Sequence, residues 1–349
     1  MPSPQRRATI MDVARAAQVS RQTVSNVVNR PDRVAPQTLE RVSREIERLG
    51  FRTNVAARSL RHRRTHALGI ELNSLGVRRL GSILDEFLVE LTVASRAHES
   101  HLVPFAAASH DHPLPAYQDM LAHQLVDGFL LTDTRHNDPR PEWLQLRDIP
   151  FTAFGRLWDD PSFTRFVDVD GYGGVVAAVR HLQQQGYRRT AFLGWPVGSP
   201  VGDDRRAGWQ HAAGLDDAQA ATLCASATQD MSRAAEAVGP LLDRLGPGGA
   251  VVCASDTLAV GVWSVLRDRG LRPGADVGLV GFDDTDLASA FGITSLRQPL
   301  HAVAETVLRL MDEARAGRPM PDQGVLLRPR LVARASTQPH PPHTRAFTA

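Results

Sequence analysis

The sequence has no lysine, so all 40 of its Lys-plus-Arg residues are arginine. It has only two cysteines, Cys224 and Cys253, which form no metal-binding spacing and are too few for a disulfide framework. It also lacks any run of about 18 apolar residues, which argues against a membrane-spanning helix. The polar N-terminus, MPSPQRRATIMDVA, has no apolar stretch of the kind that a secretory signal needs. We therefore expect a cytoplasmic protein with reduced thiols and no membrane partner.

Charge is distributed unevenly along the 349 residues. Residues 1–66 hold 14 arginines and 5 acidic residues, a formal charge of +9, whereas the remainder carries −7. A basic head on an acidic body favours a polyanionic partner for the head alone. The absence of lysine is weaker evidence for such a partner. Arginine replaces lysine in the acidic body too, as genomic codon bias would cause. The length suggests one small domain and a larger body.

The beginning of the chain has the pattern of two short helices joined by a tight turn. Thr9 and Asp12 have the spacing of a capping box for the first helix. Ser20 can cap a second helix that runs from Arg21 to about Val28. Three valines of this helix are expected to pack inward, namely Val24, Val27 and Val28. Its polar residues are then left outside, as in the recognition helix of a helix-turn-helix. They are Arg21, Gln22, Ser25, Asn26 and Asn29.

A third helix and a short basic segment follow. The helix is predicted from Pro36 to just before Gly50, with apolar residues at helical spacing that close a small three-helix core. Asn54 can then cap a short alanine-rich helix that ends at Leu60 and precedes the run RHRR. Alone, so short a helix would be only partly formed. An exposed leucine on a small basic helix is typical of proteins that wedge into the minor groove of DNA; the alternative is an ordinary linker.

From Ala67 onward, short apolar strands alternate with helices. This pattern predicts an α/β body with two parallel sheets that carry helices on both faces. Ligands bind beyond the carboxyl ends of parallel strands, so two facing lobes would form a cleft. Strands are predicted at 67–72, 102–106, 127–132, 151–155, 190–194, 250–254, 277–282 and 293–296, and helices at 81–99, 172–185, 205–213 and 258–270.

Polar residues next to these strands are candidates for ligand binding. Asp283 directly follows an apolar strand in GFDD, where its carboxylate can accept hydrogen bonds from sugar hydroxyls; the alternative is a helix N-cap. Arg205 in DDRRAGW stands at a helix start. Arg156 ends the strand in TAFGR, and the alternative to a position in the cleft is an ion pair between the lobes.

The segments TIMDVARAAQVSRQTVSNVVN, VAPQTLERV and LGFRTNVAARSLR resemble the DNA-binding head and hinge of the lac repressor (LacI/GalR) family of bacterial transcription regulators. The resemblance continues to about residue 336. It implies a small all-α helix-turn-helix head joined by a hinge helix to a two-lobed α/β body of the periplasmic-binding-protein type. The expected divisions are 1–53 for the head, 54–66 for the hinge and linker, 67–337 for the effector-binding domain and 338–349 for a disordered tail. Within the body, the N-lobe would comprise about 67–167 and 299–325, and the C-lobe about 168–298 and 326–337.

The resemblance implies that a homodimer binds double-stranded DNA at a pseudo-palindromic operator. Arg21, Gln22 and Asn26 would read bases in the major groove, where Arg21 can pair with guanine and Gln22 with adenine. Further residues would contact phosphates or support that docking, namely Thr9, Thr23, Ser25, Asn29 and Arg33.

The hinge and one cap complete the implied DNA-binding part. Ala57 and Leu60 would enter the minor groove from the helix that Asn54 begins, with Leu60 opening a central base step. Ala35 stands where the family usually has a serine that caps the third helix. The missing cap is expected to lower the stability of the head by about 1 kcal/mol.

The resemblance also implies a small-molecule effector, a sugar or glycoside, between the lobes, and no cofactor. Met231 stands where an aromatic side chain commonly stacks on the ligand in this family, and Trp158 is the candidate to replace it. The expected effector site comprises Arg79, Thr132, Arg156, Asp170, Arg205, Met231, Asp256, Asp283 and Gln298.

These observations predict a repressor of carbohydrate-utilisation genes whose operator affinity is switched by the effector, and not an enzyme. Two alternatives stay open: a regulator of the same fold that responds to a purine or another metabolite, and a sugar-binding protein without a DNA function. The basic head favours regulation. A metal site at His110-Asp-His112 is not expected, because further ligands at a suitable spacing are missing.

Overall fold

The computed structural model describes residues 8–51, 65–72, 83–109 and 112–338. The chain separates into two compact units, Met1–His66 and Ala67–Ala349. In the described ranges, no helix combines the length and the apolar character that crossing a bilayer requires. Several predicted residues lie outside the described ranges, namely Asn54, Ala57, Leu60, Arg79, His110 and the tail from residue 339.

The first unit contains the expected helices. They are α1 (Ile10–Ala16), α2 (Arg21–Asn29) and α3 (Pro36–Arg48), with a short 3-10 turn at Pro31–Arg33. The capping box of α1 is confirmed, because the Asp12 amide donates to Thr9 Oγ1 (3.3 Å) and the Thr9 amide donates to Asp12 Oδ2 (2.9 Å). Ser20 caps α2 by accepting a hydrogen bond from the Thr23 amide (3.0 Å). The side chain of Ala35 supplies no such bond to α3.

A small apolar core joins the three helices. Val13, Val24 and Val42 are fully buried in it. The prediction that Val28 packs inward is wrong, since this side chain is only half-buried and lies outside the core cluster.

The second unit contains the two predicted sheets, and each has six strands in the described ranges. The order of the first is β11-β5-β4-β3-β1-β2, and all its pairs are parallel. It consists of β1 (Ala67–Glu71), β2 (His101–Phe105), β3 (Gly128–Leu131), β4 (Phe151–Phe154), β5 (Phe166–Val169) and β11 (Val325–Leu327). The helices in the same segments are α4 (Ile83–Ser95), α5 (Leu114–Ala122), α6 (Pro139–Gln145) and α13 (Leu300–Arg315).

The order of the second sheet is β12-β10-β9-β8-β6-β7, and only its edge strand β12 is antiparallel to its neighbour. Its strands are β6 (Thr190–Gly194), β7 (Cys224–Ser226), β8 (Ala250–Cys253), β9 (Gly278–Asp283), β10 (Thr294–Arg297) and β12 (Arg330–Val332). Its helices are α7 (Gly171–Gln184), α8 (Pro200–Ala213), α9 (Asp217–Thr222), α10 (Met231–Leu245), α11 (Asp256–Asp268) and α12 (Asp286–Ala290).

The chain passes between the two sheets three times: after β5, after β10 and after β11. The crossings after Val169 and Leu327 come slightly later than the sequence-based lobe boundaries, because β5 and β11 pair in the first sheet up to those residues. The helix predicted at 205–213 begins earlier, at Pro200. The connecting segments leave β5, β10 and β11 at their carboxyl ends. The carboxyl ends of the parallel strands in each lobe therefore lie near the connecting segments.

Candidate DNA interface and effector cleft

The outer side of α2 carries the predicted base-reading residues. Arg21 and Gln22 are exposed in its first turn, and Asn26 is half-buried one turn later. Gln22 Nε2 donates to Asn26 Oδ1 (3.2 Å), so the two amides are linked before any base is present. The first turn of α2 contains no acidic residue. The positive end of its dipole is therefore favourable for a phosphate group.

The predicted supporting residues lie at the helix starts and in the turn after α2. Thr9 and Thr23 are used locally: Thr9 Oγ1 donates to Asp12 (2.6 Å), and Thr23 Oγ1 shares a hydrogen bond with Ser20 Oγ (2.9 Å). Arg33 is exposed in the 3-10 turn, and Ser25 is half-buried on α2. Asn29 ends α2. The contacts of these residues with DNA phosphates stay predictions.

In the second lobe, Arg205 is the central polar residue. It lies on α8 and is 5% exposed. Its Nη1 donates to the carbonyl of Ala254 (2.5 Å), whereas its buried Nε has no hydrogen-bond partner among the described residues. The guanidinium carbon lies 3.5 Å from the ring centroid of Phe282. Burial lowers the pKa of Arg205, and the nearby carboxylate of Asp283 opposes this effect.

Asp283 ends β9 and is also buried. Its Oδ1 accepts a hydrogen bond from Gln298 Nε2 (2.6 Å), which brings two predicted effector residues together. Burial raises the pKa of Asp283 to about 6, although the positive charge of Arg205 lowers it. The alternative interpretation as a helix N-cap is wrong, because the N-cap of the following helix α12 is Thr285.

The backbone at Asp283 and Asp284 is strained. Their φ angles are 108° and 59°, in a region that favours glycine. Two arginines hold this turn through Asp284: Arg297 Nε lies 2.5 Å and Arg334 Nη1 lies 2.6 Å from its carboxylate. The Asp284 amide also donates to Ser295 Oγ (3.0 Å). Surrounding residues thus fix the conformation that presents Asp283.

Asp256, another predicted effector residue, braces the same turn. Its carboxylate accepts hydrogen bonds from the Thr285 amide (2.7 Å), the Thr285 hydroxyl (3.0 Å) and Ser295 Oγ (2.6 Å). Burial raises its pKa to about 7, and the neighbouring charge of Asp283 adds to the effect. Its hydrogen bonds therefore serve to position Asp283.

In the first lobe, Thr132 follows β3 and is 2% exposed. Its hydroxyl donates to the carbonyl of Glu71 (3.4 Å). Arg140, which the sequence analysis did not single out, donates from Nη2 to the carbonyls of Thr132 (3.0 Å) and Asp133 (3.2 Å). Asp138 and Glu71 pair with the same guanidinium at 2.7 and 3.0 Å. A buried charged network thus fixes the loop that carries Thr132.

Arg156 forms ion pairs with residues from both lobes. Its guanidinium lies 2.7 Å from Asp168 on β5 and 3.5 Å from Asp204 on α8. Arg156 therefore forms the ion pair between the lobes that the sequence offered as the alternative to a position in the cleft. The same guanidinium lies 4.2 Å from the ring centroid of Trp158, so that ring is already covered by a cation. Burial raises the pKa of Asp204, and Arg156 lowers it.

Within the ranges that the structure describes, no hydrogen bond joins Asp170 or Met231 to Arg205, Asp283 or Gln298. Asp170 caps α7, since its Oδ1 accepts from the Gly173 amide (2.8 Å). Met231 begins α10 and is 39% exposed. Trp195 was not predicted from the sequence; it directly follows β6 and lies 5.4 Å from the Arg205 guanidinium. An aromatic residue immediately after an apolar strand was the signal that could have found it.

The chain matches two family models. Residues 9–54 match the model of bacterial regulatory proteins of the lacI family, and residues 179–337 match that of the periplasmic binding protein-like domain.

Similar proteins extend these matches to most of the chain. The chain is 32% identical over 343 residues to the HTH-type transcriptional regulator CelR of Thermobifida fusca, which covers 95% of this chain and 98% of that protein. It is 27% identical over 340 residues to the HTH-type transcriptional repressor PurR of Escherichia coli O1:K1, covering 96% and 98%. The solved complex of CelR with cellobiose has a TM-score of 0.70 at 30% identity and covers 95% of this chain and 100% of that one.

Proposed function

This chain belongs to the lacI family of bacterial regulatory proteins, and we propose that a small sugar or glycoside, bound between the lobes of its body, releases it from the operators of carbohydrate-utilisation genes. The protein is a DNA-binding transcription regulator. Regulators act on the chromosome, so we place it in the bacterial cytoplasm, on the nucleoid when it is bound to its operator.

The buried Arg205 supports the proposed effector class. A guanidinium has five N–H donors; within the described part of the chain, Arg205 donates to the carbonyl of Ala254, while its buried Nε has no partner. Asp283 offers acceptor oxygens in the same lobe. Leaving buried polar groups unpaired is unfavourable, so a ligand that both accepts and donates hydrogen bonds would be stabilised there. Sugar hydroxyls do both.

The head supplies the proposed DNA contacts. Arg21, Gln22 and Asn26 read base edges from α2, while Thr9, Thr23, Ser25, Asn29 and Arg33 dock it on the phosphates. The hinge residues Asn54, Ala57 and Leu60 act at the minor groove. A homodimer presents two such heads to the half-sites of a pseudo-palindrome. The head spans 1–53, the hinge and linker 54–66, and the effector domain 67–337.

Arg205, Asp283, Gln298 and Thr132 form the core of the proposed effector site, with Arg79, Arg156, Asp170, Met231 and Asp256 around it. A ligand there switches operator affinity only if it binds two arrangements of the lobes with different affinities. Arg156 contacts both lobes, so the distance between them affects its ion pairs directly.

A purine-responsive regulator is the second candidate, because PurR is among the relatives. A flat heterocycle needs stacking faces, whereas a polyol needs many hydrogen-bonding groups. The second requirement fits a buried arginine and carboxylate better.

Selection of operators from a random duplex pool, followed by mobility-shift titration, tests both candidates. The full-length protein should yield a pseudo-palindromic sequence. A panel of mono- and disaccharides, glycosides and purines is then added to the complex. Release by a sugar, abolished in Arg205→Ala and Asp283→Ala, is the expected result. Release by a purine alone would overturn the sugar assignment and leave DNA recognition intact.

A further inference from the structure

Trp195 lies at the carboxyl edge of the second sheet, next to the proposed effector site. It directly follows β6 and packs, half-buried, against the main core of the body. No role was expected of it from the sequence. Its indole combines a large apolar face with a single N–H donor.

Hydrogen bonds fix the orientation of the indole. Trp195 Nε1 donates to Gln229 Oε1 (2.6 Å). Ser255 Oγ lies 2.8 Å from the same oxygen and donates to it. Because the indole nitrogen can only donate, the amide oxygen of Gln229 must face it. Ser255 is itself the N-cap of α11. The ring is thereby tied to two neighbouring elements of the second lobe.

Helix α8 confines the opposite edge of the ring. A Cβ atom on Gly202 would lie 3.0 Å from Trp195 Cε3. That distance is closer than ordinary packing allows, so glycine lets the helix approach the indole. Confined on both edges, the ring loses little further freedom when a ligand binds, which favours affinity.

The ring lies beside the groups that would hold a polyol. Arg205 lies 5.4 Å from its centroid and 3.5 Å from that of the fully buried Phe282. The other two candidates for a stacking face are less suitable. Trp158 is covered by Arg156, and Met231 is a flexible thioether at 39% exposure.

We infer that Trp195 is the platform on which a pyranose ring of the effector stacks, while Arg205 and Asp283 bind its hydroxyls. This inference rests on the proposed sugar effector. A gluco-configured ring with equatorial hydroxyls suits such a platform, because its faces carry only C–H groups. The expected ligand class is therefore a glucopyranoside.

Calorimetric titration of the full-length protein with cellobiose tests the platform. Trp195→Ala should weaken binding about 10-fold or more, since a lost aromatic contact of roughly 1.4 kcal/mol corresponds to a factor of 10. Trp195→Phe keeps a ring and should stay within about 3-fold of the wild type. Trp263→Phe is the matched control, because Trp263 lies on α11 of the same lobe and packs edge-on against Phe291. It should bind as the wild type does.

Tryptophan emission gives a second measurement that does not need Trp195→Ala to fold. Cellobiose should change the emission of the wild type and of Trp263→Phe, and the change should vanish in Trp195→Phe. Unchanged cellobiose affinity in Trp195→Ala with loss of binding in Asp283→Ala would overturn the platform and leave the sugar effector intact. An emission change that persists in Trp195→Phe would also overturn it. A wild type that binds neither cellobiose nor any other sugar would overturn both.

Discussion

The guanidinium of Arg156 lies 3.5 Å from the carboxylate of Asp204, and this ion pair joins the two lobes of the body. Arg156 follows β4 of the first sheet, and Asp204 lies on α8, the helix after β6 of the second. The same arginine is held in its own lobe by Asp168 at 2.7 Å. The pair therefore stabilises this arrangement of the lobes relative to more open ones.

Asp204→Asn should make the lobes separate more easily. The charge that Arg156 meets in the other lobe is removed, while Asp168 still holds the arginine. We expect a larger radius of gyration in solution scattering without effector, and roughly 3- to 10-fold more effector for release from the operator. Asp203→Asn, one residue earlier on α8, is the control. Identical scattering of wild type and Asp204→Asn would show that the pair does not govern lobe separation.

Arg21→Ala should weaken operator binding by roughly 1–3 kcal/mol and relax the preference at one base pair per half-site. Arg21 is exposed in the first turn of α2, where it can reach a guanine edge. Affinity measured against a panel of single-base operator variants checks this. Arg41→Ala removes the same charge from the exposed side of α3. A loss that is equal for every operator variant would make Arg21 a phosphate contact instead.

Ala35→Ser should stabilise the head by about 1 kcal/mol. The alanine side chain gives the first turn of α3 no capping hydrogen bond, whereas the side chain of Ser20 caps α2. Hydrogen exchange of the α3 amides in the full-length protein should slow about 5-fold. Ser20→Ala is the reciprocal variant and should speed exchange in α2. Unchanged α3 protection in Ala35→Ser would mean that the serine does not reach the Thr38 or Gln37 amide.

The sequence predicted the long, apolar elements of this fold better than the short ones. Strands such as Ala250–Cys253 are continuous apolar runs and could be recognised directly. The strands Cys224–Ser226 and Arg330–Val332 are three residues each and mix polar with apolar side chains. They are strands because a neighbouring strand offers them hydrogen-bonding partners, and that information is not local.

The candidate site divides in the same way. Arg205 and Asp283 could be placed because residues next to strand ends meet at one edge of a parallel sheet. The bracing of Asp283 by Asp256 and the bond between Trp195 and Gln229 could not, since each joins loops far apart in the chain. The covering of Trp158 by Arg156 likewise depends on side-chain packing that the order of elements does not specify.

Asp283→Asn should stabilise the body at neutral pH while it weakens effector binding. Burial raises the pKa of Asp283 to about 6, above the usual value of about 3.9 for an aspartate. Between these two values the folded protein keeps a proton that the unfolded chain releases, so stability falls as the pH rises toward 6 and stays lower above it. The other charged groups that act on this carboxyl are Arg205, Asp256 and Glu86.

Thermal unfolding at pH 7.5 and pH 5 measures this effect. Asparagine carries no charge to bury, so the variant should unfold at a higher temperature than the wild type at pH 7.5, and the difference should shrink at pH 5. Asp243→Asn, an exposed carboxylate in the same lobe, should show no such pH-dependent gain. Effector affinity of the wild type should rise from pH 5 to pH 7.5, because the ionised carboxylate is the better acceptor for ligand hydroxyls. A variant that is no more stable at pH 7.5 than the wild type would mean that Asp283 is ionised at little cost. The strained backbone at Asp283 would then need an explanation other than the presentation of a buried charge to the effector.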